Sequence, residues 1–362
     1  MNFKLREYTA PDFSCEPFIS APDVKLTPAE KDRVAPDDYH AMSIFPEYFK
    51  IDGKWLLAEE SRMDCVAVYE NGKVKVTEFR NIRKGDLVIC GRSEDARDGI
   101  YLHEDGFNEG HQASESFAFR QSRSRESSFS RDYDELFGVL NHDRDHGKIV
   151  WVLGPAVSFD SDAREYFGRL IRNGYVHALL AGNALATHDL EGAWLQTALG
   201  QNIYTQQHQP NGHYNHLDLL NRVRKYGSIP EFIEKEKIDN GIIYNLEQQH
   251  IPYVLAGSIR DDGPLPPVYG NVYEAQERMR DEIRSATTVI SVATMLHSIA
   301  VGNMTPSYRL DREGKIRQIY FYFVDVSEFV ANKLADRGSL AARSIITNAQ
   351  DFIVTTARGL GL

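Results

Sequence analysis

Ala256-Gly-Ser-Ile-Arg-Asp-Asp-Gly-Pro-Leu-Pro266 closes the apolar run Ile251, Tyr253, Val254 and Leu255 with polar groups that core packing does not require. A short interior strand ending in this way delivers Ser258, Arg260, Asp261 and Asp262 to its carboxyl end. In an open parallel sheet, that edge is where ligands bind. Working outward, the same arrangement recurs. Lys148-Ile-Val-Trp-Val-Leu stops at Gly154 and Pro155, and Val176-His-Ala-Leu-Leu-Ala stops at Gly182 and Asn183. Thr288-Val-Ile-Ser-Val-Ala runs into Thr294-Met-Leu-His, and Ile319-Tyr-Phe-Tyr-Phe-Val runs into Asp325.

Between these runs lie helical spacings such as residues 273–284, where Ala275, Met279 and Ile283 fall on one face. Strands alternating with helices predict an α/β fold, a Rossmann-like, mostly parallel sheet with helices on both faces, over 147–362. A small β-domain is expected before it, over 41–105, where short alternating runs are punctuated by Asp52-Gly53, Asn71-Gly72 and Lys84-Gly85. Residues 1–40, rich in Pro, Asp and Lys, read as an N-terminal arm, and 106–146 as a polar linker and helix. The linker carries Arg120, Arg123, Arg125 and Arg131 among serines. It is either a solvated connector or a loop offering guanidinium groups to an anion. Residues 309–317 read as a hairpin with Glu313-Gly314 at its tip.

Composition bounds the function. The 362 residues are 42% hydrophobic and 26% charged, ordinary for a globular chain with sizeable cores. A net charge of −11 argues against a nucleic-acid partner, whose phosphates demand Lys and Arg. There is no apolar run long enough to span a membrane, and Met1-Asn-Phe-Lys-Leu-Arg-Glu lacks the apolar centre of a secretory signal. A cytoplasmic protein acting on a small molecule is expected. The three cysteines, Cys15, Cys65 and Cys90, are too scattered for a disulfide framework or a Cys-based zinc site. Cys65 and Cys90 sit in strand patterns as buried small hydrophobes.

The chemistry is expected at the strand ends. No G-x-G-x-x-G follows Gly154. Gly182-Asn183-Ala184 instead opens a helix whose free N–H groups can hold a pyrophosphate. Asp325 either bonds a ribose diol, which favours NAD over NADP, or caps a helix over 327–334. His208, His213 and His216 cluster in sequence but lack the further ligands a zinc site needs, so a substrate-side loop or the start of a helix over 217–226 is preferred. His297 stands beyond a strand end, in position for either proton transfer or a structural role.

The blocks Gly182-Asn-Ala-Leu-Ala-Thr-His-Asp, Gly212-His-Tyr-Asn-His, Val254 to Pro266, Ala293-Thr-Met-Leu-His-Ser-Ile-Ala-Val-Gly-Asn-Met and Lys333-Leu-Ala-Asp-Arg-Gly-Ser occur in order. Together they resemble the archaeal-type ornithine cyclodeaminase family, also labelled LOR/SDH, which forms the C-terminal region of arginine dihydrolase fusions. The resemblance runs from about Phe49 to the C-terminus. It implies NAD-dependent conversion of L-ornithine to L-proline with loss of ammonia. It also implies cofactor contacts at Asn183, Ala184, Asp262, Thr294, Met295, Leu296, His297, Asp325, Asn348 and Ala349, with Asp325 as a ribose ligand. Asn348 stands where the family commonly carries an acid, and 309–317 reads as an insertion. Asp262 and His297 are the candidates for proton transfer, and Arg260 is the candidate for the substrate carboxylate, a surface ion pair being its alternative. Enzymes of this type are expected to be homo-oligomers. An NAD-dependent amino-acid oxidoreductase of saccharopine or opine type, or a non-catalytic NAD-binding regulator, are the competing readings.

Overall fold

The computed structural model describes residues 4–107, 130–261, 263–311, 313–327 and 341–362. Outside the described residues lie Asp262, residues 328–334 of the helix expected over 327–334, the motif at 333–339, and Arg120, Arg123 and Arg125; the side chain of Arg131 is likewise outside them.

Two antiparallel sheets come first. One joins β1 (Lys25–Pro28), β6 (Leu87–Cys90), β4 (Cys65–Glu70) and β5 (Lys73–Glu78) in that order. The other joins β3 (Lys54–Leu57), β2 (Glu47–Ile51) and β7 (Ile100–Leu102). Asp52-Gly53 and Asn71-Gly72 are two-residue turns between Ile51↔Lys54 and Glu70↔Lys73, with φ of 51°, 73°, 53° and 80°. Left-handed φ at both positions matches the twist of the flanking strands, and Asn, Asp and Gly adopt it at least cost. Part of the N-terminal arm packs on the β-domain. Lys25–Pro28 pairs antiparallel with Leu87–Cys90, and Phe18 stacks edge-on against Trp55 at 5.7 Å. A four-residue edge strand containing a proline leaves little periodicity to read in advance.

The expected parallel sheet is present. It contains β8 (Ile149–Leu153), β9 (Ala178–Gly182), β12 (Tyr253–Ala256), β13 (Thr288–Val292), β16 (Tyr320–Asp325) and β17 (Ala341–Ile346). Their spatial order is β12-β9-β8-β13-β16-β17, and every pairing is parallel. This is the doubly wound order of dinucleotide-binding folds, with its reversal between β8 and β13. The short ribbon β10 (Thr197–Ala198) and β11 (Gln201–Asn202) follows α3, and the hairpin β14 (Tyr308–Leu310) and β15 (Ile316–Gln318) confirms the turn read at Gly314.

Side-chain alternation explains why these strands read as unbroken apolar runs. Trp151, Leu179, Ile290 and Tyr322 enter one core with helices α1 (Ser130–His146), α2 (Ser161–Arg172), α3 (Asn183–Leu195), α4 (Asn215–Tyr226), α5 (Ile229–Glu236), α6 (Ile242–Gln248) and α9 (Ala349–Gly359). Val152, Leu180, Val289 and Phe323 enter a second core with α7 (Val272–Ile283) and α8 (Met295–Met304). A strand covered on both faces has no position to give to water. Helix α1, read as part of the linker region, contributes Leu136, Val139 and Leu140 to the larger core.

A charged knot seats the β-domain on the α/β domain. Arg280 of α7, 2% exposed, forms an ion pair with Glu78 at 2.9 Å and bonds Glu277 at 2.7 Å, while Arg62, 4% exposed, bonds the same Glu78 oxygen, Oε1, at 2.5 Å. Burial raises the Glu78 carboxyl pKa, but the guanidinium groups of Arg62 and Arg280 outweigh it and hold the group at about 2. Its folded value is thus below the ordinary 4.5, so the stabilisation is complete above 4.5 and is lost as pH falls toward 2. The denaturation midpoint of the wild-type chain is expected to fall across that window. Glu78→Gln should show a flatter pH dependence there, and identical slopes would remove Glu78 as the source.

Candidate active site

The site forms where the sheet order reverses. Gly154 ends β8 against the end of β13 so closely that a Cβ built there would lie 1.8 Å from the Ala293 carbonyl oxygen. Ala293 itself is left-handed, with φ of 52°, an uncommon conformation for alanine. That turn sends the chain into Thr294 and α8, whose first N–H groups have no capping side chain. Helix α3 likewise starts after Gly182 without one. Helices α2, α5, α7 and α9 are capped by Asp160, Ser228, Asn271 and Asn348. The N-cap residues of α4 and α6 also give no side-chain cap, but the starts of α3 and α8 open on the carboxyl edge of the sheet, where backbone donors and the helix dipole favour an anion.

A cavity of about 400 Å³ lies between them, lined by Pro155, Gly182, Asn183, Ala256, Thr294 and His297 among others. A second, of about 440 Å³, extends between α3 and α4 and is lined by Thr187, His216, Leu220, Asn221 and Arg224. Asn183, Ala184, His188, Arg260 and Asp261 line both, so the two are lobes of one cleft. Asn183 fixes the wall between them. Its Oδ1 accepts from Leu265 N at 3.0 Å and its Nδ2 donates to Asp261 Oδ1 at 3.5 Å. Asp261 in turn accepts from Ser258 N at 2.8 Å.

The cleft gathers most of the residues named from sequence. Asn183, Ala184, Arg260, Thr294, Leu296 and His297 all line it, and Arg260 is exposed at the junction of the lobes. Met295 is exposed beside it, and Asp325 ends β16 on the same edge, accepting from Ser327 N at 3.0 Å. Asn348 lines a further cavity of about 530 Å³ that meets the first at Phe159, while Ala349 is buried behind it. Of the three clustered histidines, His216 reaches the cleft, whereas His208 and His213 are exposed and line neither lobe.

Burial lowers the pKa of His297 below its usual 6.5, so its imidazole is mostly neutral at pH 7 and can accept a proton. One group that sequence reasoning left without a role also faces the cleft. His188, on the second turn of α3, bonds the fully buried Glu191 at 2.9 Å through Nδ1. The signal was available as His-x-x-Glu on a helix, a spacing that places both side chains on one face.

Residues 46–130 match the model of the first C-terminal region of ArgZ-like arginine dihydrolases, and residues 136–356 match that of their C-terminal Rossmann fold. The chain belongs to this ArgZ-like family. The ornithine cyclodeaminase of Methanocaldococcus jannaschii is 38% identical over 342 residues, spanning 91% of this chain and 76% of that protein. The bifunctional arginine dihydrolase/ornithine cyclodeaminase AgrE of Nostoc sp. is 33% identical, spanning 91% of this chain and 46% of its own length. Among solved structures, a LOR/SDH protein of Methanococcus maripaludis superposes with a TM-score of 0.84 at 32% identity, covering 94% of this chain and 98% of its own. AgrE in a ternary complex with ornithine and NAD+ superposes at 0.57 and 32%, covering 94% of this chain and 46% of its own. The family membership inferred from the motifs is thereby confirmed, together with the Rossmann-type fold. No described helix is long and apolar enough to cross a membrane.

Proposed function

We propose that the chain is an NAD-dependent ornithine cyclodeaminase that converts L-ornithine to L-proline and ammonia. The observation that carries the reading is the two-lobed cleft. One lobe lies at the sheet reversal between two uncapped helix starts, and the other is a pocket with Arg224, Arg260 and Asp261 on its wall. The relatives' ornithine cyclodeaminase activity and the ornithine and NAD+ held by AgrE support it.

The residues present fit a dinucleotide. The uncapped N–H groups of α3 and α8 suit a pyrophosphate, and Asn183, Ala184, Thr294, Met295, Leu296 and His297 stand around them. Asp325, Asn348 and Ala349 extend the same edge toward the outer strands, where an acid suits a ribose diol. Bound NAD would supply a hydride acceptor that later returns the hydride. The protein's own part is to hold the α-carbon of the amino acid in line and to move protons at two nitrogens. Arg260 presents a guanidinium to the substrate carboxylate, and Asp261 presents a carboxylate to an ammonium group. The neutral imidazole of His297 is placed to accept a proton beside the cofactor lobe. Asp262, outside the described residues, stays a candidate for proton transfer on its sequence motif alone. Assembly into homo-oligomers and a cytoplasmic location belong to the same proposal.

Incubation with NAD+ and L-ornithine, followed by mass spectrometry, is expected to yield proline and ammonia in equal amounts with no build-up of NADH. NADH accumulating in step with product would overturn the cyclodeaminase reading in favour of an amino-acid oxidoreductase.

A further inference from the structure

We propose that His188 and Glu191 form a proton-carrying dyad at the junction of the two lobes, with His188 a catalytic residue and Glu191 its positioning residue. The inference rests on the ornithine reading above. Its basis is a chain of hydrogen bonds with one consistent direction. Glu191 is fully buried, and its two oxygens accept from His188 Nδ1 at 2.9 Å and from Thr197 Oγ1 at 2.8 Å. A carboxylate can only accept, so Thr197 donates to it and the Thr197 oxygen is left to accept from Asn215 Nδ2 at 2.8 Å. The chain of donors therefore runs toward Glu191, with Asn215 donating to Thr197 and Thr197 and His188 donating to Glu191, which fixes the His188 proton on Nδ1. Nε2, on the far edge of the ring, has no protein partner among the described residues and belongs to a side chain lining both lobes.

The neighbourhood marks this as a ligand site and not only a packing contact. His188 is 8% exposed, with Phe159 edge-on at 5.5 Å and the His216 ring at 6.2 Å. His216 lines the same lobe, and its Nδ1 is buried without a partner among the described residues. The next residue serves a different purpose. Asp189 turns away to bond Arg164 and the backbone of α6, so the adjacent His-Asp pair is divided between cleft and core.

His188 carries one of the two proton transfers. With the α-amine neutral, departure of hydride from the α-carbon would leave an α-iminium. Nε2 takes a proton from the distal ammonium, and the freed amine adds to the α-carbon as the C=N π pair moves onto the α-nitrogen. The imidazolium returns its proton to the α-nitrogen, the ring nitrogen sheds its extra proton to water, and the α C–N bond breaks to release ammonia and leave a cyclic iminium. Return of the hydride to the α-carbon and of a proton to the ring nitrogen would complete proline, so substrate alone is changed and the dyad ends as it began.

The test compares wild type, His188→Gln, His188→Ala and Glu191→Gln, using circular dichroism and calorimetric NAD binding as fold controls. For His188→Gln, kcat should fall at least about 100-fold with KM and NAD affinity within about threefold, the range for loss of a general acid–base. Millimolar imidazole should restore at least about tenfold to His188→Ala, which also serves if glutamine is not accommodated. Glu191→Gln should lose about tenfold in kcat without such rescue. Nitrogen-15 spectra of the wild-type chain at pH 8 should show His188 protonated on Nδ1. A proton on Nε2, a His188→Gln kcat within about threefold of wild type, or a failure of imidazole to rescue each overturns the dyad. A wild-type sample that binds NAD but makes neither proline nor ammonia overturns the ornithine reading itself.

Discussion

Asp189→Ala is expected to cost about 3–5 kcal/mol of folding stability, the loss typical of removing one member of a buried ion pair. Asp189 is fully buried and its carboxylate does three things at once. It bonds Arg164 Nε at 2.9 Å, and it accepts the first two N–H groups of α6 from Ile242 at 2.9 Å and Ile243 at 2.8 Å. Arg164 is itself only 4% exposed, and its Nη2 donates back to the Asp189 carbonyl at 2.9 Å. Alanine would leave a guanidinium uncompensated in the core and two helix donors unpaired. The space cannot be refilled by a shift of the chain. Gly241 is left-handed at φ 108°, and a Cβ there would already lie 2.7 Å from Arg164 Nη2. Denaturant unfolding at pH 7 measures the effect, and a loss below about 1 kcal/mol would place the pair among solvated surface bridges.

Gly154→Ala is expected to weaken NAD binding by about 10–100-fold, equivalent to the strain of forcing one extra carbon into a packed junction. The backbone is not the obstacle, since Gly154 has φ −83° and ψ 164°, which alanine adopts freely. The obstacle is the Ala293 carbonyl, 1.8 Å from the added carbon, with the Thr294 Cβ at 3.2 Å. Relief requires the ends of β8 and β13 to separate, and that movement carries the start of α8 with it. Gly270→Ala is the control, because its added carbon meets nothing within 4 Å. Calorimetric titration of NAD compares the two. Equal affinity in a folded Gly154→Ala sample would show that the α8 start does not touch the cofactor.

The parts of this molecule legible in its sequence are those where one physical requirement dominates. Five of the six parallel strands were readable because both faces are covered, which keeps Ile149–Leu153 and Tyr320–Asp325 apolar at almost every step. Ala341–Ile346, Ala-Ala-Arg-Ser-Ile-Ile, gives no such signal, because Arg343, which pairs with Glu135, and Ser344 interrupt its apolar run. The cleft was legible at its strand ends, where Gly154, Gly182 and Thr294 interrupt apolar runs. His188 was not, because it stands inside a helix whose sides are nearly all buried, where its meaning depends on Thr197 and Asn215 arriving from later turns of the chain. Strand-end chemistry is local in sequence, whereas the orientation of an imidazole is set by tertiary contacts.

The knot around Arg280 bears on how this protein could be divided or recombined. The two regions match separate family models, 46–130 and 136–356, as though each were a portable module. Their contact argues otherwise. An α/β fragment beginning at α1 would keep Arg280 and Glu277 but lose Glu78, and the buried Tyr308 hydroxyl would lose the Ala58 carbonyl it donates to at 2.7 Å. Ser307 would lose Ser61, its partner at 2.9 Å. A fusion or domain swap that respects the sequence boundary therefore cuts through a buried charge cluster, and the unit that can be moved intact is the pair.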